Sequence, residues 1–396
     1  MASTSRARGL QCPLRTVRRA VGEGNRTYRA GREFFNLFRS EAMKKSLIAL
    51  AVAGTFAAPA FAATSNVDIY GVIKSSYDYI DTDAPAGSGN PDSNLTRISS
   101  NSSRIGFKGS EDLGGGLKAV WQWETGLTTD TSGAPTGNRN TFVGLAGGFG
   151  TFLVGTHDTP YKLATGSLDV FSDTMGDYNT IMGSVNGTNL FDLRGSNVWA
   201  YISPTFSGFH VALARVNANE TGTQGAADGD AWSLAGIYSN GPLFASLAWE
   251  RHENGVAGAA PNNDLTAWKL GVGYKFGDAK VGFGYESLDD DAGATVNDRN
   301  AWFINGTYAM GPITLKAQYA SAGDGDTAPD TSADYWAIGV DYNLSKRTKV
   351  YALYAATNND AGGTYATGGA GASGTFTPTV PGTDPSVLSI GIEHSF

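Results

Sequence analysis

From Val67 onward the chain alternates apolar and polar residues. Val67, Ile69, Gly71 and Ile73 alternate with Asp68, Tyr70, Val72 and Lys74, and the run continues with Tyr77 and Tyr79 against Ser76 and Asp78. Strand side chains repeat every two residues, so each such run predicts a β-strand with one greasy face and one wet face. Later runs repeat the contrast. Trp268, Leu270, Val272, Tyr274 and Phe276 oppose Lys269, Gly271, Gly273 and Lys275, and Ile313, Leu315, Ala317 and Tyr319 oppose Thr314, Lys316 and Gln318. Leu270 is therefore expected on the apolar face. Lys269 is expected on the wet face, where exchange for glutamine should be tolerated.

Short turn signals punctuate the runs at 112–116, 147–150, 204–208, 240–242, 277–278, 310–312 and 345–347, and longer polar stretches lie between them at 81–96, 125–138, 157–196, 217–230, 253–264, 289–298, 323–332 and 357–384. Seven short turns and eight long loops join about sixteen strands, an even number with both termini on the short-turn side. This predicts an all-β, transmembrane antiparallel β-barrel with short periplasmic turns and long external loops. A soluble β-sandwich or propeller would alternate too. Aromatic placement favours the barrel: the eight Trp fall in strands, mostly near the loop ends, while Phe149, Phe206, Phe276, Tyr342 and Phe396 cluster near the turn ends. Two belts of amphipathic rings suit a bilayer with two interfaces.

Charge divides the chain. Residues 1–42 hold nine Arg, no Lys and three Glu, whereas the segment beyond Lys45 holds eighteen Lys and Arg against thirty-four Asp and Glu, a net −16. Nucleic acid is not an expected partner of so acidic a segment. Cys12, the only cysteine, lies in the basic leader, which fits a mature chain that passes an oxidising compartment. Residues 43–62 begin with Met43-Lys44-Lys45, continue through an apolar stretch from Leu47 to Ala58 and end in Ala60-Phe61-Ala62. That is the architecture of a secretory signal peptide cleaved between Ala62 and Ala63. Residues 1–42 are then a start-codon artefact or an extended n-region. A twin-arginine signal at Arg18-Arg19 is disfavoured by its distance from the apolar core. The barrel is assigned to 63–396.

Several stretches of this mature segment carry a resemblance. VDIYGVI at 67–73, SRIGFKGSEDLGGGLKAVWQWE at 103–124, RNTFVGLAGGFGTFLVG at 139–155, SPTFSGF at 203–209, SKRTKVYALY at 345–354 and the terminal GIEHSF together resemble the general-diffusion trimeric porins of Gram-negative bacteria, and most closely the β-proteobacterial type. The resemblance implies a sixteen-stranded barrel in the outer membrane, assembled as a homotrimer among outer-membrane lipid and lipopolysaccharide. It also implies a third external loop folded into each lumen and passive diffusion of small hydrophilic solutes and ions. The terminal strand face of Leu388, Ile390, Ile392, His394 and Phe396 resembles the signal read by the barrel-assembly machinery, with Phe396 its key residue. A substrate-selective anion or dicarboxylate channel of the same fold is the alternative.

A strand tilted near 45° climbs roughly 2.3 Å per residue, so positions seven or eight from the turn end sit roughly 16–19 Å up. Lys74, Arg104, Glu124 and Arg139 satisfy this count, and within the quoted motifs the last three also match positions at which related porins line the constriction. Opposite them the third loop should present Asp158, Asp169, Asp173 and Asp177, with Asp192 further on. A basic wall facing an acidic loop makes a transverse field that orients solutes and discriminates ions. Any one of these aspartates could equally be a solvated loop residue. The basic side looks thin, since Val72 and Ile202 stand where enterobacterial relatives place basic residues. The expected selectivity is mild, cationic at low salt and moving toward neutral or anionic as salt screens the acidic loops.

No other chemistry competes. His157, His210, His252 and His394 show no metal-ligand spacing, and the nearest approach to a catalytic pair, Glu250 with His252, reads as an ordinary polar rim pair. Asp289-Asp290-Asp291 and Asp324-Gly325-Asp326 fit no calcium-loop register. No cofactor, metal or enzymatic step is expected.

Overall fold

The computed structural model describes residues 66–86, 93–132, 135–217, 230–253, 264–290, 298–325, 330–368 and 374–396. The leader, the export segment and the Ala62–Ala63 junction lie outside them, as do Asp291 and Asp326. The first strands are β1 (Asn66–Asp83), β2 (Ser93–Ser100), β3 (Arg104–Gly114), β4 (Leu117–Gly126), β5 (Thr136–Asn138), β6 (Thr141–Gly147) and β7 (Gly150–Asp158). The third loop follows, with helix α1 (Pro160–Gly166) and a small hairpin of β8 (Ser184–Val185) and β9 (Thr188–Asn189). Then come β10 (Arg194–Ile202), β11 (Phe209–Val216), β12 (Ala231–Asn240), β13 (Leu243–His252), β14 (Leu265–Phe276), β15 (Ala279–Asp290), β16 (Arg299–Met310), β17 (Ile313–Ala322), β18 (Ala333–Asn343), β19 (Thr348–Asn359) and β20 (Asp384–Ser395). β2 with β3 and β5 with β6 are each two pieces of one stave. The result is a closed, sixteen-strand antiparallel barrel.

Closure depends on the first and last strands. β1 pairs with β3 below and β2 above on one side, and with β20 on the other from Val72↔Ser395 to Asp83↔Asp384. Phe396 extends that seam by exchanging two backbone hydrogen bonds with Gly71, of 3.0 and 3.1 Å. Its ring lies over the Gly71 backbone so closely that a Cβ there would meet Phe396 Cζ at 2.3 Å. The short turns also follow from sequence. Gly241, Gly277 and Gly311 each open a two-residue hairpin loop with φ near +57°, a region where a side chain would be strained.

Exposure is inverted relative to a water-soluble sheet. Ile69, Val143, Leu247, Ile304, Ile338 and Ile390 are each more than half exposed on the outer face, while Lys269, Glu250 and Glu286 are fully buried on the inner one. Such a surface is stable only against lipid. The loop-end aromatic belt is built from a repeated diagonal pair on neighbouring strands: Trp268 with Tyr285, Trp302 with Tyr319 and Trp336 with Tyr354, at 5.3, 5.4 and 5.3 Å between centroids. Phe149, Phe206, Phe276, Tyr342 and Phe396 are exposed toward the turn end.

Lys269 departs from expectation. It does face inward, but it is wholly buried in an ion pair with Asp192 of the third loop, its Nζ 4.1 Å from the Tyr161 ring centroid. Lys269→Gln would leave Asp192 buried without its counter-charge, so this position is not freely exchangeable. A contrasting inward position is Lys275, exposed near the turn end. Leu270→Arg should therefore cost about 2–4 kcal/mol at mid-membrane, and Lys275→Gln should stay within about 0.5 kcal/mol. Urea titration of the refolded barrel in lipid vesicles measures both. Equal costs would overturn the face assignment.

Candidate functional site

The third loop turns into the lumen because its ends and its seat are shaped for it. Thr159 caps α1 by accepting from the Lys162 amide, Pro160 fits the first turn, and the helix stops at Ser167. Beyond it Leu168, Phe171, Met175, Tyr178, Ile181 and Met182 form one buried cluster with small wall residues such as Ala301, Ala320, Ala337 and Ala355. Small side chains on the wet face of β16 to β19 thus make room for a loop. Gly273 does the same on β14, where a Cβ would stand 2.7 Å from Leu168 Cδ2. Tyr178 stacks on Phe303 at 5.0 Å.

Polar groups of the wall then satisfy the loop backbone, as burial requires. Asn305, Gln318 and Tyr335 donate to the carbonyls of Leu168, Gly176 and Met175. Arg299 donates to those of Ile181 and Ser184 and pairs with Glu286, which accepts from the Gly183 amide at 2.9 Å and from the Tyr161 hydroxyl at 2.8 Å.

The tip of the loop meets the basic wall at three consecutive residues. Lys316 Nζ lies 4.6 Å from the Phe171 ring centroid, Lys74 Nζ donates to the Ser172 carbonyl at 3.1 Å, and Arg104 Nη1 pairs with Asp173 at 3.1 Å. Asp173 holds φ at +57°, an uncommon backbone state that these contacts maintain. Beside them Arg139 Nε pairs with Glu124 at 2.6 Å, and Glu124 also accepts from the Tyr70 hydroxyl at 2.8 Å. Lys74, Arg104, Glu124, Arg139 and Asp173 therefore stand together, on β1, β3, β4, the segment before β6, and the loop.

Four further residues join them that the sequence reading did not single out. Glu393 bridges Lys74 at 2.9 Å and Lys349 at 3.3 Å, and Asp341 bridges Lys349 at 3.4 Å and Lys316 at 3.0 Å. Register explains the chain: Lys74, Glu393 and Lys349 are directly opposed across β1, β20 and β19, and Asp341 is diagonal to both Lys349 and Lys316. Among the described residues this cluster places five cations, Lys74, Arg104, Arg139, Lys316 and Lys349, against four carboxylates, Glu124, Asp173, Asp341 and Glu393.

The remaining loop aspartates divide. Burial would raise the Asp173 carboxyl, but the charges of Lys74, Arg104 and Arg139 hold it below the ordinary range. Asp169 and Asp177 instead face each other: burial, then the neighbouring carboxylate, raises Asp169 well above that range, and burial pushes Asp177 up to about 6. Asp177 caps the 178–180 turn by accepting from Asn179 N at 2.8 Å and also accepts from Asp173 N at 3.0 Å. These two acids brace the loop from within. Asp158 is not on the acidic face of the loop; it ends β7 in a separate cluster with Arg194 at 3.0 Å, Lys162 at 3.5 Å and Asn140 at 2.9 Å. Asp192 likewise serves as an anchor, through Lys269 and Asn179.

The described parts of the last loop, 360–368 and 374–383, also fold inward. Tyr365 is buried in the third-loop core, and Thr364 clasps the β8–β9 tip by donating its amide to Asn186 Oδ1 at 2.6 Å and its hydroxyl to the Asn186 carbonyl at 2.7 Å. Glu250 and His252 prove to be a buried pair at 2.8 Å rather than a rim pair, with the imidazole stacked on Phe191 at 4.6 Å.

Comparison with known proteins agrees with this geometry. The family model described as Gram-negative porin matches residues 49–362. Outer membrane porin protein 32 of Delftia acidovorans is 32% identical over 366 residues, 89% of this chain and 100% of that one. The solved anion-selective porin from Comamonas acidovorans is 28% identical with a TM-score of 0.71, covering 84% of this chain and all of its own. The trimer form of OmpT, an outer membrane protein of Vibrio cholerae, shares the fold at 19% identity and a TM-score of 0.59, over 84% of this chain and 99% of that one.

The paired acids give the loop a pH dependence of defined sign. Asp177 binds its proton more tightly folded than unfolded, so its contribution to loop stability is present below the ordinary value of 3.8 and is lost as pH rises through about 6. Acidification from about pH 7 to about pH 5 should therefore increase hydrogen-exchange protection of amides 169–179, after correction for intrinsic rates, and Asp177→Asn should flatten the response. Protection that falls on acidification would contradict the pairing.

Proposed function

Because this chain belongs to the Gram-negative porin family and is a passive diffusion channel of the outer membrane, we propose that its constriction is the passage left beside the loop tip Phe171-Ser172-Asp173 where it is held on the wall, bordered by Lys74, Arg104, Glu124 and Arg139, with a mild preference for anions at that point. The observation that carries this reading is the charge balance of the cluster, five cations to four carboxylates, in a narrow passage where screening is weak. The acidic outer loops pull the other way, enriching cations at the mouth at low salt. Raising the salt shortens the Debye length and leaves the constriction in control, so selectivity moves from cationic toward anionic.

Assembly as a homotrimer is supported by the trimer form of the Vibrio cholerae protein of the same fold. Export by the segment 43–62, cleavage between Ala62 and Ala63 and recognition of Phe396 by the barrel-assembly machinery complete the proposal, and lipopolysaccharide would surround the mouth. The Gly71–Phe396 seam is what such recognition would leave behind in the finished barrel. The relatives are channels, and the site is read as a passage without a catalytic step.

A second reading, a substrate-selective anion channel, draws on the anion-selective relative. Saturable block of conductance by a dicarboxylate at low concentration would favour it over general diffusion. For the first reading, replacing Arg104 and Arg139 together with glutamine should shift the reversal potential toward cations and increase permeation of bulkier solutes. Unchanged reversal potential and conductance in a planar bilayer would remove these arginines from the constriction.

A further inference from the structure

The wall cations do not face the lumen alone. Lys74, Lys349 and Lys316 are strung together by two carboxylates, Glu393 and Asp341, each of which bridges two of them. Asp341 is nearly buried behind the chain, and Lys316 is covered by Phe171 of the loop tip. Lys349 is the more open member, its side chain 29% exposed. Among the described residues the ion-pair partners of both acids are the lysines and not the third loop. Their placement is thus suited to tempering cationic charge rather than to holding the loop.

The geometry points to Asp341 and Glu393 as the residues that set the strength of the channel's ion selectivity, by offsetting the charge of the wall lysines they bridge. When Glu393 is neutralised Lys74 keeps its contact to Ser172 and Lys349 keeps Asp341, so the passage keeps its shape while its charge changes. Removing one carboxylate charge takes the cluster from five cations against four acids to five against three. The field in the constriction then strengthens without any residue moving into it. This inference rests on the reading above, that charges of this cluster face the permeation path, and extends it to the carboxylates of the neighbouring strands β18 and β20.

The test uses the full mature protein in planar bilayers under a salt gradient at moderate ionic strength. Asp341→Asn should raise the anion-to-cation permeability ratio roughly twofold. Glu393→Gln should move the ratio in the same direction. Lys349→Gln should move it the opposite way, and the double variant Asp341→Asn with Lys349→Gln should return it close to the parent. A loop displaced by Glu393→Gln would instead raise sugar permeation, which overturns the claim that only charge has changed. If Arg104 and Arg139 substitutions shift the reversal potential and Asp341→Asn and Glu393→Gln do not, the constriction reading stands and this inference fails; if none shifts it, both fail.

Discussion

A loop folded into a barrel brings its backbone and charges out of water, and it stays there only if the wall supplies partners for them. Here three wall cations take hold of three consecutive residues, through a ring face at Phe171, a carbonyl at Ser172 and a carboxylate at Asp173. Each contact uses a different chemistry, so no single register slip of the loop can satisfy all three. An unpaired charge left in such a site would cost about 3–5 kcal/mol, which is large beside the net stability of a folded chain. In the proposed constriction, width and charge are therefore set by the same contacts.

The rest of the lumen serves that placement. Alanines on β16 to β19 and Gly273 on β14 lower the wall where Leu168, Phe171 and Met175 need to pack. Lys269, Arg299 and Glu286 pin the returning half of the loop, and the Asn186–Thr364 clasp ties it to the last loop. Inside the loop, Asp169 and Asp177 can sit together only while they retain a proton. Outside, the apolar belt and the Trp–Tyr pairs hold the barrel in lipid and leave the inner face free for this polar work.

Much of the fold was legible in the sequence because its signals are local. The alternation at 67–73 and 268–276 specifies strand and face, the glycines at 241, 277 and 311 specify the hairpins, and counting residues along single strands already set Glu124 beside Arg139, which form an ion pair. What was not legible depends on pairing between distant strands. Lys349 and Glu393 are unremarkable in their own segments and become partners only through the β19–β20 register, and Asp341 reaches two lysines only by a diagonal that no one-strand count reveals. Asp158 was misplaced for a related reason: it belongs to β7 and is claimed by Arg194 across the β7–β10 pair. Lys269 looked like a free lumen residue because nothing in its own strand announces Asp192, 77 positions away.

The claim that the grip on the loop tip sets the pore is tested most directly by removing the grip while leaving the loop intact. In the variant with Lys74, Arg104 and Lys316 all replaced by glutamine, single-channel recording should show a broadened, fluctuating conductance and liposome swelling should show passage of larger sugars than the parent admits. A single, steady conductance equal to the parent's, with the same sugar cut-off, would contradict it.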